Sequence, residues 1–303
     1  MMCSSLIRAG RGLRVWLAVG LFAGAASALR AEPAGKSFLV FDNMHYKGMP
    51  DLTPLGFIPN AVIYEQKKTW IPLIQAHQML DETMFKNLVR SNIVGRPGPV
   101  VIDIEYSYLS RNKTTTDADV RFNFKLFITL AHWAHEAAPG HLVGYYGHGL
   151  FPEEPGKEYA AETREFLKSI DAFFPSMYVH GTQTPEQWRQ KLELLLQQAR
   201  QIAPEKPVYP YLWGQYHEGG PHALEFVSGE YEKFQLENCV KYGCDGVVYW
   251  SGGKPPWTPA TRELPWFKTV TDFLAAKPRC TGAAQWDVPK AGPDGKRPAY
   301  ENE

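Results

Sequence analysis

Pro99-Val100-Val101-Ile102-Asp103-Ile104-Glu105-Tyr106 is the stretch on which the fold turns. A β-branched apolar run ends abruptly in two carboxylates at positions i and i+2. Strand residues two apart point to the same side, so Asp103 and Glu105 are expected together at the C-terminal end of a buried strand. Working outward, similar short apolar runs occupy residues 38–41, 61–64, 142–146, 172–178, 208–212 and 246–250. Stretches with helical spacing lie between most of them, at 73–89, 120–136, 158–170, 186–202, 230–242 and 264–275. The fourth opens with Thr184-Pro185-Glu186-Gln187, a capping box with proline at the first helical position. Seven strands alternating with helices predict a parallel α/β protein, a single TIM-like (β/α) barrel over residues 36–277. No strand is followed by GxGxxG, which removes a dinucleotide-binding fold.

The chain has 303 residues, 44% of them hydrophobic and 21% charged, the composition of a globular protein. Its formal net charge is zero and no basic run occurs, which argues against a nucleic-acid partner. Arg8, Arg11 and Arg14 precede an apolar run over 15–28 that ends Ala26-Ser27-Ala28. That is the pattern of a secretory signal over residues 1–31, cut after Ala28 or Ala31, and too short to span a bilayer. The mature chain is then expected outside the cytoplasm, secreted or periplasmic, with no membrane span. Cut after Ala31, it keeps 28 basic and 32 acidic residues, a net charge of −4. Cys239, Cys244 and Cys280 remain, an odd number whose pairing the spacing does not decide. Residues 278–303, rich in Gly, Pro and Lys, form a tail.

Aromatic residues make up 13% of the chain, including nine Trp and fifteen Tyr. In TIM-like barrels the active site stands at the C-terminal ends of the strands. That criterion selects Asp42, Glu65, Asp103, Glu105, Tyr145, Tyr146, Tyr178, Trp213 and Trp250. Asp103 and Glu105 carry the chemistry, because close like charges raise one pKa and let a carboxyl hold a proton near neutrality. An ordinary retaining glycosidase sets its two carboxylates on opposite sides of the scissile bond. Two acids on one strand approach from one side, so the nucleophile must come from elsewhere, and a 2-acetamido group on the substrate can supply it. Glu105 is then the acid/base and Asp103 the group that orients and charges the acetamido nitrogen. Tyr145, Tyr146, Trp213 and Trp250 are the expected sugar-stacking residues. His132, His135 and Glu136 lie on one helix without a metal-site spacing, and neither metal nor cofactor is expected. Residues 216–222 suggest a substrate loop, and Asn112-Lys113-Thr114 is a glycosylation sequon by pattern.

Four blocks carry a family resemblance. Ile102-Asp103-Ile104-Glu105, Gly144-Tyr145-Tyr146-Gly147 with Phe151-Pro152, Phe174-Pro175-Ser176-Met177-Tyr178, and Gly243-Cys244-Asp245-Gly246-Val247-Val248-Tyr249-Trp250 follow one another in order. Together they resemble the hyaluronidases, glycoside hydrolase family 56, across residues 38–275. The resemblance implies a distorted seven-stranded barrel and endo-cleavage of β-1,4 N-acetylhexosaminide bonds in an N-acetylated polysaccharide or glycosaminoglycan. The protein is expected to be a monomer. The resemblance also implies Tyr178 as the tyrosine beside the acetamido group and Trp250 as a wall of the sugar pocket. A second family tyrosine, in a Cys-Tyr-Asn string, has no match here, which leaves Tyr146 or Tyr159 in its place. Two other readings stand beside this one: a catalytically silent carbohydrate-binding barrel, and a chitinase-like hydrolase.

Overall fold

The computed structural model describes residues 37–105, 107, 109, 114–148, 159–253 and 255–276. The expected export signal, the sequon's Asn112, Cys280 and the tail all lie outside the described residues.

The strands are β1 (Leu39–Asn43), β2 (Ile58–Pro59), β3 (Ala61–Tyr64), β4 (Val100–Asp103), β5 (Val143–Tyr145), β6 (Tyr211–Trp213) and β7 (Gly246–Trp250). The helices are α1 (Trp70–Gln75), α2 (Glu82–Asn92), α3 (Asp117–Ala137), α4 (Ala160–Ser169), α5 (Pro185–Ile202), α6 (Gly229–Lys241), α7 (Pro259–Arg262) and α8 (Pro265–Ala276). All strand pairs are parallel, in the orders β2-β1-β7-β6 and β3-β4-β5. The fold is a TIM-like α/β barrel.

Two joints hold the sheets to each other. Residues 58–64 bond β1 with their first half and β4 with their second, Asn60 N donating to Asp42 O and Ala61 N to Pro99 O. On the other side, residues 172–178 bridge β5 to β6 through the pairs Tyr146–Phe174, Phe173–Val208 and Ser176–Tyr211. This segment is expected from sequence to be a strand, and it forms isolated bridges instead. Pro175 removes a donor from the middle of it. Pro210 likewise shortens the expected strand at 208–212 to β6. The expected helix over 73–89 is two helices, because the chain turns at His77 (φ 52) and restarts with Asp81 accepting from Met84 N. A left-handed residue cannot continue a right-handed helix. The capping box of α5 forms as the sequence indicates, Thr184 with Gln187.

Strand alternation divides the apolar residues into two shells. Val100, Ile102 and Ile104 pack outward with Phe124, Phe127 and the other helix residues. Val101 belongs to the inner cluster with Phe41, Val62, Phe174, Tyr178, Tyr211, Trp213 and Val248. The lumen is filled by side chains, and Gly144 is part of how they fit: a Cβ there would lie 2.6 Å from the Phe174 ring. The hydrogen bond of Cys244 N to Cys239 O (2.9 Å), with Gly243 at φ 81, closes α6 into β7. Both cysteines are free and buried. No helix among the described residues is long and apolar enough to cross a membrane.

Candidate active site

The inner face of β4 continues from Val101 through Asp103 to Glu105, which places both acids at the C-terminal mouth of the barrel. Glu105 is exposed, whereas Asp103 is half-buried with Oδ1 enclosed and lacking a hydrogen-bond partner among the described residues. Glu65 follows β3 alongside, its backbone N donating to Asp103 O at 2.9 Å. Burial pushes the Asp103 carboxyl up to about 8, and the charges of Glu105 and then Glu65 add to the shift, with Lys67 opposing it. The acid that holds a proton at neutrality in the free protein is therefore Asp103. Sequence reasoning had one of the pair doing so and put the reaction's proton on Glu105.

Across the lumen stands an aromatic wall. Tyr178 stacks on Trp250 with ring centroids 5.5 Å apart, and Trp213 meets Trp250 edge-on at 4.8 Å. Tyr146 lies 6.0 Å from Tyr178 and donates to Ser176 Oγ at 3.1 Å. Burial raises both phenols, Tyr146 to about 12 and Tyr178 well above the usual tyrosine range. Both are neutral hydrogen-bond donors at any physiological pH. Gly252 makes room for the tryptophans, since a Cβ there would fall 2.7 Å from Trp213. Trp213 itself is 3% exposed, so it shapes the wall more than it presents a surface.

The structure separates the other sequence candidates by the face on which they stand. Tyr145, expected to bind substrate, is a correction: it points outward. Its ring stacks 4.6 Å from Phe127, and its hydroxyl donates to Phe127 O at 2.7 Å inside the helix layer. Tyr159 is also in that layer, donating to Asp117 Oδ1 at 2.9 Å, which leaves Tyr146 as the second tyrosine beside Tyr178. Asp42 faces outward as well and holds Met44 N at 2.9 Å in the turn after β1.

The inward neighbour of Asp42, Asn43, is a site residue that sequence reasoning missed. Its amide and His45 Nε2 both bond the Tyr64 hydroxyl, at 3.1 and 2.6 Å. Tyr64 is therefore held rigid beside Asp103. Tyr211 was missed too, with its buried hydroxyl below Tyr146 and ring centroids 5.0 Å apart. Once Phe41 and Tyr209 are known to face inward, a count of two along each strand finds both Asn43 and Tyr211.

His135, away from the mouth, contacts Ser169 O at 3.1 Å, and Glu136 pairs with Lys86. No cluster of three or more His, Cys, Asp or Glu side chains among the described residues could hold a metal ion.

No family model matches the sequence, and no curated protein matches it. Solved structures do. The monoclinic crystal structure of bee venom hyaluronidase superposes with a TM-score of 0.53 at 14% identity, covering 78% of this chain and 96% of that one. Bee venom hyaluronidase in complex with a hyaluronic acid tetramer gives 0.53 at 13%, covering 83% and 99%. At that identity the likeness is one of fold. Over nearly the whole length of those enzymes, this chain shares the barrel architecture of a TIM-barrel glycoside hydrolase.

Proposed function

We propose that the protein is an exported endo-β-N-acetylhexosaminidase of hyaluronidase type that uses the substrate's own acetamido group as nucleophile. One observation carries the reading. Asp103 and Glu105 leave the barrel on one side, and the wall facing them from β6, β7 and β1 offers Tyr211, Trp213, Trp250 and Asn43, with no carboxylate among the described residues. A sugar held between these walls meets acid on one side and aromatic rings on the other.

Glu105 gives its proton to the glycosidic oxygen as the acetamido carbonyl oxygen closes on C1 and the C1–O bond breaks. The resulting oxazolinium N–H donates to Asp103. Water then attacks C1 from the vacated side, Glu105 takes its proton, and the ring reopens with retained configuration. Tyr146 and Tyr178 stand where neutral donors are needed near the acetamido oxygen. The free site holds its proton on Asp103, so substrate binding must move it. An acetamido N–H favours ionised Asp103, and exposed Glu105 on the same face accepts the proton. Cleavage is accordingly expected to require a pH below about 8, where the carboxyl cluster still carries that proton.

The test is reducing-end release from hyaluronan, chondroitin, chitin oligosaccharides and peptidoglycan glycan. Glu105→Gln is expected to lower the rate about 10²- to 10⁴-fold. Undiminished activity in that variant sinks the mechanism. A wild-type protein that binds these glycans without cleaving them is a binding barrel instead.

A further inference from the structure

Past Trp213 the chain bends at Gly214 and folds into an irregular hairpin over residues 214–227. Tyr216 N donates to Glu225 O at 2.9 Å and Val227 N to Gly214 O at 3.1 Å, which brackets the antiparallel bridge between Gln215 and Phe226. A pair bracketed in this way is the close, non-hydrogen-bonded kind, with Cα atoms about 4.5 Å apart and both side chains on one face. Gln215 shows which face that is. Its Oε1 accepts from Trp213 Nε1 at 3.2 Å, and its Nε2 donates to Leu224 O at 2.6 Å. Phe226 therefore stands beside an amide that is bonded directly to the aromatic wall of the site.

The hairpin is braced. His217 N donates to Val179 O at 2.7 Å, and the His217 ring stacks on Tyr178 at 5.9 Å. Gly181 and Gly220 touch so closely that a Cβ on Gly181 would lie 2.9 Å from Gly220 Cα. Leu224 is held at φ 64, a conformation that a leucine adopts only under constraint from its surroundings. On this frame Phe226 is 44% exposed. Leu224 in the same hairpin is 47% exposed, and Glu218, His222 and Glu225 are exposed too, the last two paired at 3.0 Å. A rigid ring on a mostly polar hairpin suits a pyranose, which has one apolar C–H face and a hydroxyl edge. Phe226 and Leu224 are too little for a lipid or a protein helix, which need a larger continuous apolar patch.

We infer that Phe226 is the platform of a flanking subsite, stacking on a sugar ring of the bound glycan outside the cleaved linkage, with Gln215 fixing its position relative to Trp213. This rests on the glycan-binding reading of the barrel mouth.

The test compares wild type, Phe226→Ala and Phe226→Trp on chitin and hyaluronan oligosaccharides from disaccharide to decasaccharide. KM is measured for cleavage and Kd by calorimetry in the Glu105→Gln background. Phe226→Ala is expected to raise the ratio of long-chain to short-chain KM about 3- to 10-fold. Phe226→Trp is expected to bring it back. Cleavage with a ratio that Phe226→Ala does not move overturns the subsite and spares the enzyme reading. Length-dependent binding that Phe226→Ala abolishes, without cleavage by wild type, keeps the subsite and overturns the enzyme reading. No binding of any oligosaccharide overturns both.

Discussion

Two carboxyls among the described residues are pushed up to about 8, both chiefly by burial, and they do different things. Asp103 stands at the barrel mouth with Glu105 and Glu65 adding negative charge beside it. Glu232 lies on α6, sealed behind the sheet, where it accepts a hydrogen bond from Tyr249, the outward neighbour of Trp250. Glu232 Oε2 and both polar atoms of Gln235, one turn along the helix, lack hydrogen-bond partners among the described residues. A raised carboxyl is thus no marker of a site by itself. The mouth differs in having a second, exposed acid on the same face and an aromatic wall opposite.

The comparison breaks most visibly in turnover. Asp103→Asn is expected to lower kcat about 10²-fold or more, and Glu232→Gln to leave it within about twofold, measured as initial rates of reducing-end release. Equal losses would mean that Glu232 acts on the site through Tyr249 and Trp250.

Stability sharpens it next. Each carboxyl is folded with a pKa near 8, far above its unfolded value of 3.8 for Asp103 and 4.5 for Glu232. Between those limits the folded state keeps a proton that the unfolded chain has lost. Stability therefore falls as pH rises from about 4 to about 8. Asp103→Asn and Glu232→Gln should each flatten that fall. Each is expected to stabilise the protein by about 1–3 kcal/mol at pH 9 and by little at pH 4, read from urea melts at both pH values. A gain that does not depend on pH would show that ionisation is not the cause.

A smaller contrast separates adjacent tyrosines. Tyr146→Phe should cost about tenfold in kcat with little change in melting temperature. Tyr145→Phe should cost about 1 kcal/mol of stability through its lost bond to Phe127 O, with turnover unchanged. Smallest is the α5 cap, remote from both acids: Thr184→Ala is expected to cost about 1 kcal/mol and to leave kinetics alone.

These neighbours also mark how far sequence reading reaches. The alternation of strands and helices, the barrel, the Asp103/Glu105 pair and the capping box of α5 were all legible, because each is a local pattern: a run length, a period, or a spacing of two or three residues. Asp42 against Asn43 and Tyr145 against Tyr146 were not. Barrel strands are buried on both faces, so their runs are apolar throughout and carry no sign of which face is the lumen. Period two says that neighbours part company without saying which one turns inward. The proline-broken segment at 172–178 could be read as a strand for the same reason, since its bridges to β5 and β6 depend on partners distant in the chain.

The sequence by itself determined the architecture and the identity of the two acids, because both are written in contiguous residues. Only the tertiary structure decided that burial raises Asp103, that Tyr146 faces the site while Tyr145 and Tyr159 do not, and that Phe226 pairs with Gln215, whose amide bonds Trp213. Those facts depend on which strands meet around the barrel and on what each side chain is buried against, and burial is a property of the assembled fold.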